Sequence, residues 1–505
     1  MIYQLVFDKG HVMKHYSQLK KHFVRISHLH YIQRMLMWDE AVMMPSGAGN
    51  HRGEALATLN QTMQKLINSK KIAALIDSAK QENLSSLWDE ANLAWMEKKY
   101  RLACCIPSQL TTESTKSLLQ AFQAWRQYRE QNNWVDFLPH LKKSFQYIYE
   151  IAQRKSQVLQ LSPYEVMMDH FSPGLTEVKV DEVFSILKKQ IPDLRKRIMD
   201  QQSQEKIISF TQSSDLVKQQ ELGLSMMRTM QFDFNHGRLD VSHHPFCDGI
   251  PVDIRITTRY NKDNFLDSLY GVIHETGHAL YEQGMPRKWI FQPVGQTQSK
   301  ALHESQSLLH EYEVCHSPAF FKFLEKEVKH QFGDDEVFSA DNLYKLKTRV
   351  RTNFIRVSAD EVSYPLHVIL RYEIEKQLFT GEISIDDLPK IWDEQMIKYF
   401  GLPTKDNYKD GVMQDMHWSW GYFGYFPSYT FGQLMAAQFY AAFLKENDGF
   451  NDQLKKGNFT KLHQWLQRNI YSHGSSISSD ELLLKLTGEA LNPNIFINRV
   501  EQRYL

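Results

Sequence analysis

Along most of this chain, apolar residues recur three and four positions apart, the repeat that gives an α-helix one buried face. HYSQLKKHFVRISHLHYIQRMLMWDEAV, residues 15–42, keeps the repeat until MMPSGAG interrupts it. WVDFLPHLKKSFQYIYEIAQRKSQVLQL, residues 134–161, keeps it again, and the Ser-Pro at 162–163 predicts a restart. From Val12 to about Asn235 the texture stays helical, without a fixed-period repeat or a low-complexity linker. LMAAQFYAAFL, residues 434–444, is apolar all round and predicts a buried core helix. It is too short to span a bilayer, which takes roughly 18 or more apolar residues.

The pattern changes once, between about 231 and 260. RLDVSHHPF and PVDIRITTRY alternate with period two and are rich in β-branched residues. Val252, Ile254, Ile256 and Thr258 share one face, and Cys-Asp-Gly at 247–249 is expected to supply the turn between the runs. A small β-element, read as a hairpin, thus precedes a helix, and helical spacing resumes from Asn264. The expected fold class is mainly α, one large helical unit over residues 1–505. Residues 1–230 form its helical N-terminal part, and residues 231–505 the part with the β-element and the candidate chemistry.

That chemistry sits in GVIHETGHALYEQG, residues 271–284. Positions four apart lie one above the other on a helix, so His274 and His278 can direct their imidazoles at one ion. Glu275 is turned about 100° away from His274. It stands beside such an ion, where it can take a proton from a metal-bound water attacking a carbonyl. The order is ligand, general base, ligand. Gly284 followed by Met-Pro predicts the end of this helix. A catalytic zinc site needs a third protein ligand and an open position. SKALHESQSLLHEYEV offers Glu304, flanked by Leu302, Leu308 and Leu309, where a buried carboxylate needs a partner. His303 is a competing ligand. His11 and His15 are also four apart, but no glutamate holds the base position between them, and they read as structural.

Bulk properties narrow the setting. Lys plus Arg and Asp plus Glu both number 59, so no net field draws in nucleic acid or an anionic membrane. No phosphate loop or zinc-finger spacing is present. With 23 Gly and 16 Pro in 505 residues, turn-makers are scarce and long elements are expected. Cys104, Cys105, Cys247 and Cys315 are too few and scattered for a disulfide framework and are expected to be reduced and buried. The N-terminal stretch lacks a signal-peptide pattern. Together these suit a cytoplasmic protein.

HPF at 244–246, DIRIT at 253–257, HETGH at 274–278, HESQS at 303–307, IRVSAD at 355–360 and GVMQDMHW at 411–418 occur in that order. WDEAVMMPSGAGNHRGEALATL, earlier, and GYFGYFPSYTFGQL, later, extend the set, which resembles the M32 metallocarboxypeptidases, the thermostable carboxypeptidase 1 family. The resemblance spans nearly the whole chain. It implies a gluzincin of mainly helical, neurolysin-like fold with a deep central cleft, a homodimer that removes single residues from peptides with a free C-terminus. It implies one divalent metal ion, zinc with cobalt as the alternative, held by His274, His278 and Glu304, with Glu275 as base. Arg356 and His417 would gather the terminal carboxylate. Within IRVSAD, Ser358 stands where an acidic residue is common. A guanidinium suits a carboxylate through two parallel hydrogen bonds, but Arg349 and Arg351 are rivals, and a surface salt bridge to Asp360 or Glu361 is the plainer reading of any of them. Tyr425 and Tyr429 are candidate oxyanion donors, with aromatic packing as the alternative. An endo-acting oligopeptidase of related fold and a catalytically silent peptide-binding protein are the competing functions.

Overall fold

A computed structural model describes residues 14–211 and 213–505. Residues 1–13, on which the readings of the N-terminus and of His11 rest, lie outside the described residues. Twenty α-helices and one three-stranded sheet make a mainly α fold among the described residues.

The periodic stretches fold as their spacing predicts. Lys14–Val42 is one helix, buried along Tyr16, Leu19, Phe23 and Ile26. Trp134–Leu159 is another. The Ser-Pro restart is a capping box: Ser162 accepts from the backbone N–H of Glu165, whose carboxylate accepts from that of Ser162, and Pro163 opens the helix Pro163–Phe171. The apolar run at 434–444 lies in the helix Phe426–Glu446, buried on nearly every face.

The sheet corrects one expectation. Its strands are β1 (Gly237–Val241), β2 (Phe246–Ile250) and β3 (Asp253–Thr258), in the order β1-β3-β2. β1 runs parallel to β3, and only β2 and β3 form a hairpin. Cys247, Asp248 and Gly249 lie inside β2, and the turn falls at Pro251 and Val252. Gly249 is there for close approach and not for a turn. With φ +142°, it leaves no room for a Cβ, which would sit 2.1 Å from the carbonyl oxygen of Asp253. Ile254, Ile256, Thr257 and Thr258 are fully buried, whereas Val252 is exposed in the turn.

Three helices place the site. Phe265–Gly284 packs on β2 and β3, starts at Asn264, whose side chain accepts from the N–H of Leu266, and stops at Gly284. Lys300–Leu308 lies between it and Phe426–Glu446. Two glycines set the spacing of this sandwich. A Cβ on Gly277 would meet the Cα of Ser307 at 2.6 Å, and one on Gly432 would meet the carbonyl oxygen of Ala301 at 2.9 Å and the Cβ of Glu304 at 2.7 Å. Backbone-to-backbone approach on both sides therefore fixes the helix that carries Glu304.

The expectation for the cysteines holds in part. All four are free, but only Cys315 is buried and Cys104 is exposed. Position along the chain does not set a thiol's burial; packing does.

Candidate active site

His274, Glu275 and His278 project from the helix Phe265–Gly284, and Glu304 faces them from Lys300–Leu308. One ligand atom from each of His274, His278 and Glu304 lies within 4.8 Å of the others. Nε2 of His278 is 3.5 Å from Oε2 of Glu304, and Nε2 of His274 is 3.9 Å from Oε1.

The second ring nitrogens explain why these atoms face inward. Nδ1 of His278 lies 3.1 Å from the carbonyl oxygen of His303. A carbonyl only accepts, so Nδ1 carries the proton and Nε2 of the neutral ring presents a lone pair to Glu304. Burial, and then the charges of His303 and His274, hold His278 well below the usual histidine range, keeping it neutral. Nδ1 of His274 is held by Glu311 at 2.8 Å. Lone pair facing carboxylate is repulsive unless a cation lies between them. The donor set of two imidazoles and one carboxylate, each imidazole oriented through its other nitrogen, fits a divalent metal.

The field agrees. Burial disfavours the His274 cation, yet the hydrogen bond to Glu311 and the charges of Glu304, Glu311 and Glu275 outweigh burial and raise it to about 10. A divalent cation would neutralise this same negative field. Burial raises Glu275 to about 7, opposed by His274 and assisted by Glu304 and Glu311. Burial also raises Glu304. Glu311 is opposed by burial but lowered overall by the His274 hydrogen bond and by Lys347, whose Nζ is 3.7 Å away.

Glu311 is not among the residues that spacing singled out. It follows Glu304 by seven residues, two turns of a helix, so a signal was there to read. The turn that delivers it, Leu309–Val314, is a π-helix, a register shift common at functional sites. His303, the competing ligand, is turned elsewhere: its ring stacks on His278 at 4.3 Å and its Nε2 meets Glu282 at 3.2 Å.

A second cluster lies beside Glu304. Arg356 is buried, at 4% exposure, and is no surface salt bridge. Its Nε and Nη2 donate to Asp415 Oδ1 at 3.1 and 2.9 Å, and its Nη1 to the Tyr364 hydroxyl at 2.6 Å. Of its five N–H donors, these three bonds leave two. Its guanidinium lies 4.9 Å from the ring centre of Tyr429. The rivals are otherwise engaged. Arg349 bonds the Gln202 carbonyl and Glu205, and Arg351 is exposed. Asp360 accepts from the backbone N–H groups of Arg351, Val362 and Ser363, and Glu361 pairs with Arg503.

His417 Nε2 lies 3.1 Å from the Tyr429 hydroxyl, while its Nδ1 has no hydrogen-bond partner among the described residues. Burial and the Arg356 charge lower His417 to about 3, so the ring is neutral. Tyr425 and Tyr429 stack edge to face at 5.0 Å, and the charge of Glu304 bears on both hydroxyls. Behind them, Arg371 is fully buried and binds the other oxygen of Asp415, with its Nε at 2.6 Å. Burial opposes ionisation of Asp415, but the two guanidiniums outweigh it and hold the carboxyl far below its usual range. Asp415 and Arg371 escaped the sequence reading. An arginine inside the apolar run LHVILRYEI was the available signal.

Comparison with known proteins matches residues 18–504 to the family described as Carboxypeptidase Taq (M32) metallopeptidase. The chain is 33% identical to thermostable carboxypeptidase 1 of Thermus thermophilus over 482 residues, covering 92% of this chain and 94% of that protein. It is 31% identical to carboxypeptidase 1 of Bacillus subtilis, covering 95% and 96%. Among solved structures it is similar to metallocarboxypeptidase 1 of Trypanosoma cruzi, with TM-score 0.95, 38% identity, and coverage of 97% of this chain and 99% of that one.

Proposed function

Because the chain belongs to the M32 metallocarboxypeptidase family and is a peptide hydrolase, we propose that it releases single amino acids from the free C-termini of peptides, with Glu275 as general base. The observation that carries this reading is the convergence of His274, His278 and Glu304 within 4.8 Å, with Arg356 and His417 beside them. In the proposal His274, His278 and Glu304 hold one divalent metal, zinc by preference and cobalt as the alternative, since an N,N,O set accepts either. Such an ion would supply Lewis acidity for the scissile carbonyl and lower the pKa of the attacking water.

The chain's own groups do the rest. Glu275, raised to about 7 by burial, takes the proton of the attacking water and returns it to the leaving amine near neutral pH. Arg356 offers its two unused N–H groups to the substrate's terminal carboxylate, with Asp415 and Tyr364 keeping the guanidinium in plane. His417, neutral and bonded to Tyr429, assists there. Tyr425 and Tyr429 are assigned to the developing oxyanion. Among the described residues no helix is long and apolar enough to cross a membrane. The reading is completed by a cytoplasmic homodimer with no nucleic-acid or membrane partner; light scattering on the purified protein checks the dimer.

The test is release of C-terminal amino acids from a mixed peptide set, with and without chelator, and from the same peptides amidated. Loss of both chelated activity and amidated substrates is expected. Internal cleavage of amidated peptides would instead mean an oligopeptidase, and no metal-dependent hydrolysis at all a silent binder. E275Q should keep its metal and lose about 10²–10⁴-fold in kcat; near-normal turnover would remove Glu275 from the base role.

A further inference from the structure

The helix Tyr364–Thr380 presents Arg371 and Glu375 one turn apart, and both side chains are fully buried. Arg371 holds Asp415, two residues before His417. Glu375 holds the segment just beyond it. Its Oε1 accepts from the indole Nε1–H of Trp418 at 2.7 Å, and its Oε2 accepts from the backbone N–H of Gly424 at 2.8 Å. Oε2 also accepts from the Tyr164 hydroxyl at 2.9 Å.

Trp418 adjoins His417, and Gly424 adjoins Tyr425. One carboxylate therefore ties down both ends of the loop 418–424, whose flanking residues are the two that enter the candidate site. Packing constrains the same end of the loop. Gly424, at φ +79°, approaches the helix Pro163–Phe171 so closely that a Cβ would lie 2.6 Å from the backbone nitrogen of Met168. Burying a carboxylate this completely is costly unless donors compensate it, and two of its three donors come from this loop, the third being Tyr164 of the helix Pro163–Phe171.

We propose that Glu375 is a positioning residue for recognition of the substrate's terminal carboxylate, setting His417 and Tyr425 through Trp418 and Gly424. The proposal rests on the carboxypeptidase reading above, and its chemistry predicts a specific failure in E375Q. The amide has one acceptor and one donor end. With its nitrogen at the Oε1 place it meets the Trp418 indole donor to donor; reversed, it meets the Gly424 N–H. Either way one loop anchor is lost. Replacing Trp418 by Phe removes the conflicting donor, so in E375Q/W418F the amide oxygen can keep the Gly424 and Tyr164 bonds with no donor–donor contact.

The experiment is steady-state kinetics on a free-C-terminus peptide for wild type, E375Q, W418F and E375Q/W418F, with metal content measured throughout. E375Q should raise KM about tenfold, with kcat within about threefold and metal content unchanged. The double variant should return KM toward that of W418F alone. An unchanged KM in E375Q, or a double variant worse than the product of the singles, overturns the proposal. If E375Q does not fold, folding of the double variant supports the clamp. If neither folds, W418F alone decides: a KM equal to wild type overturns it. Failure of the carboxypeptidase reading itself would appear separately, as wild-type enzyme that cleaves amidated peptide equally well.

Discussion

Glu311 holds Nδ1 of His274 at 2.8 Å, reaching it from a π-turn two helical turns beyond Glu304. This contact orients the imidazole and, at the proposed metal site, would make it a more basic ligand. E311Q should therefore weaken metal affinity about 10–100-fold while leaving the fold intact. Competition against a chromogenic chelator measures it; an affinity equal to wild type would mean that His274 is oriented by something else.

The two close-approach glycines make a paired prediction with an internal control. G277A drives a methyl group into Ser307 and should destabilise the protein by about 1–3 kcal/mol. Gly271 lies in the same helix, and its Cβ would meet nothing nearer than 3.8 Å. G271A should thus be neutral or stabilising by about 0.5–1 kcal/mol. Thermal melts of both variants decide, and equal Tm losses would show that helix spacing is not what Gly277 provides.

Of Arg349, Arg351 and Arg356, only Arg356 is expected to bind the terminal carboxylate. R356K keeps the charge but not the fork, and should lower kcat/KM about 10–100-fold on free-carboxylate peptides. R351A, at an exposed position, should leave kcat/KM within about twofold. A loss in R351A as large as in R356K would move the pocket.

Acid should loosen the C-terminal helix Pro493–Tyr504. Glu361 is fully buried and accepts from Arg503, Tyr504 and His316. Burial opposes its charge, but Arg503 and His316 outweigh that and lower it to about 2. A carboxyl depressed in the folded state stabilises fully above its unfolded value of about 4.3. That contribution is lost as pH falls toward about 2. Tm should drop across this window, and less steeply in E361Q, which has no such proton to take up. Parallel curves would assign the acid sensitivity to other carboxyls.

How much of this was legible beforehand follows from distance along the chain. His274, Glu275 and His278 lie within one turn and a residue, so helical spacing alone put the two imidazoles on one face. Local rules likewise located the Ser162-Pro163 restart, the stop at Gly284 and the buried helix around 434–444. The turn at 247–249 was misplaced because a glycine's letter does not say whether it bends the chain or admits a neighbouring backbone.

The remainder is tertiary. Glu304 could be nominated from its apolar flanks, but its distance from His278 depends on two helix contacts, at Gly277 and Gly432. Glu311 meets His274 across 37 residues, Asp415 meets Arg356 across 59, and Glu375 meets Trp418 across 43. Amino-acid sequence by itself determined which faces are apolar and which residues share a face, because those are properties of a single helix. Which charged group answers which was decided only by packing, because a buried charge takes its partner from whatever element the core presses against it.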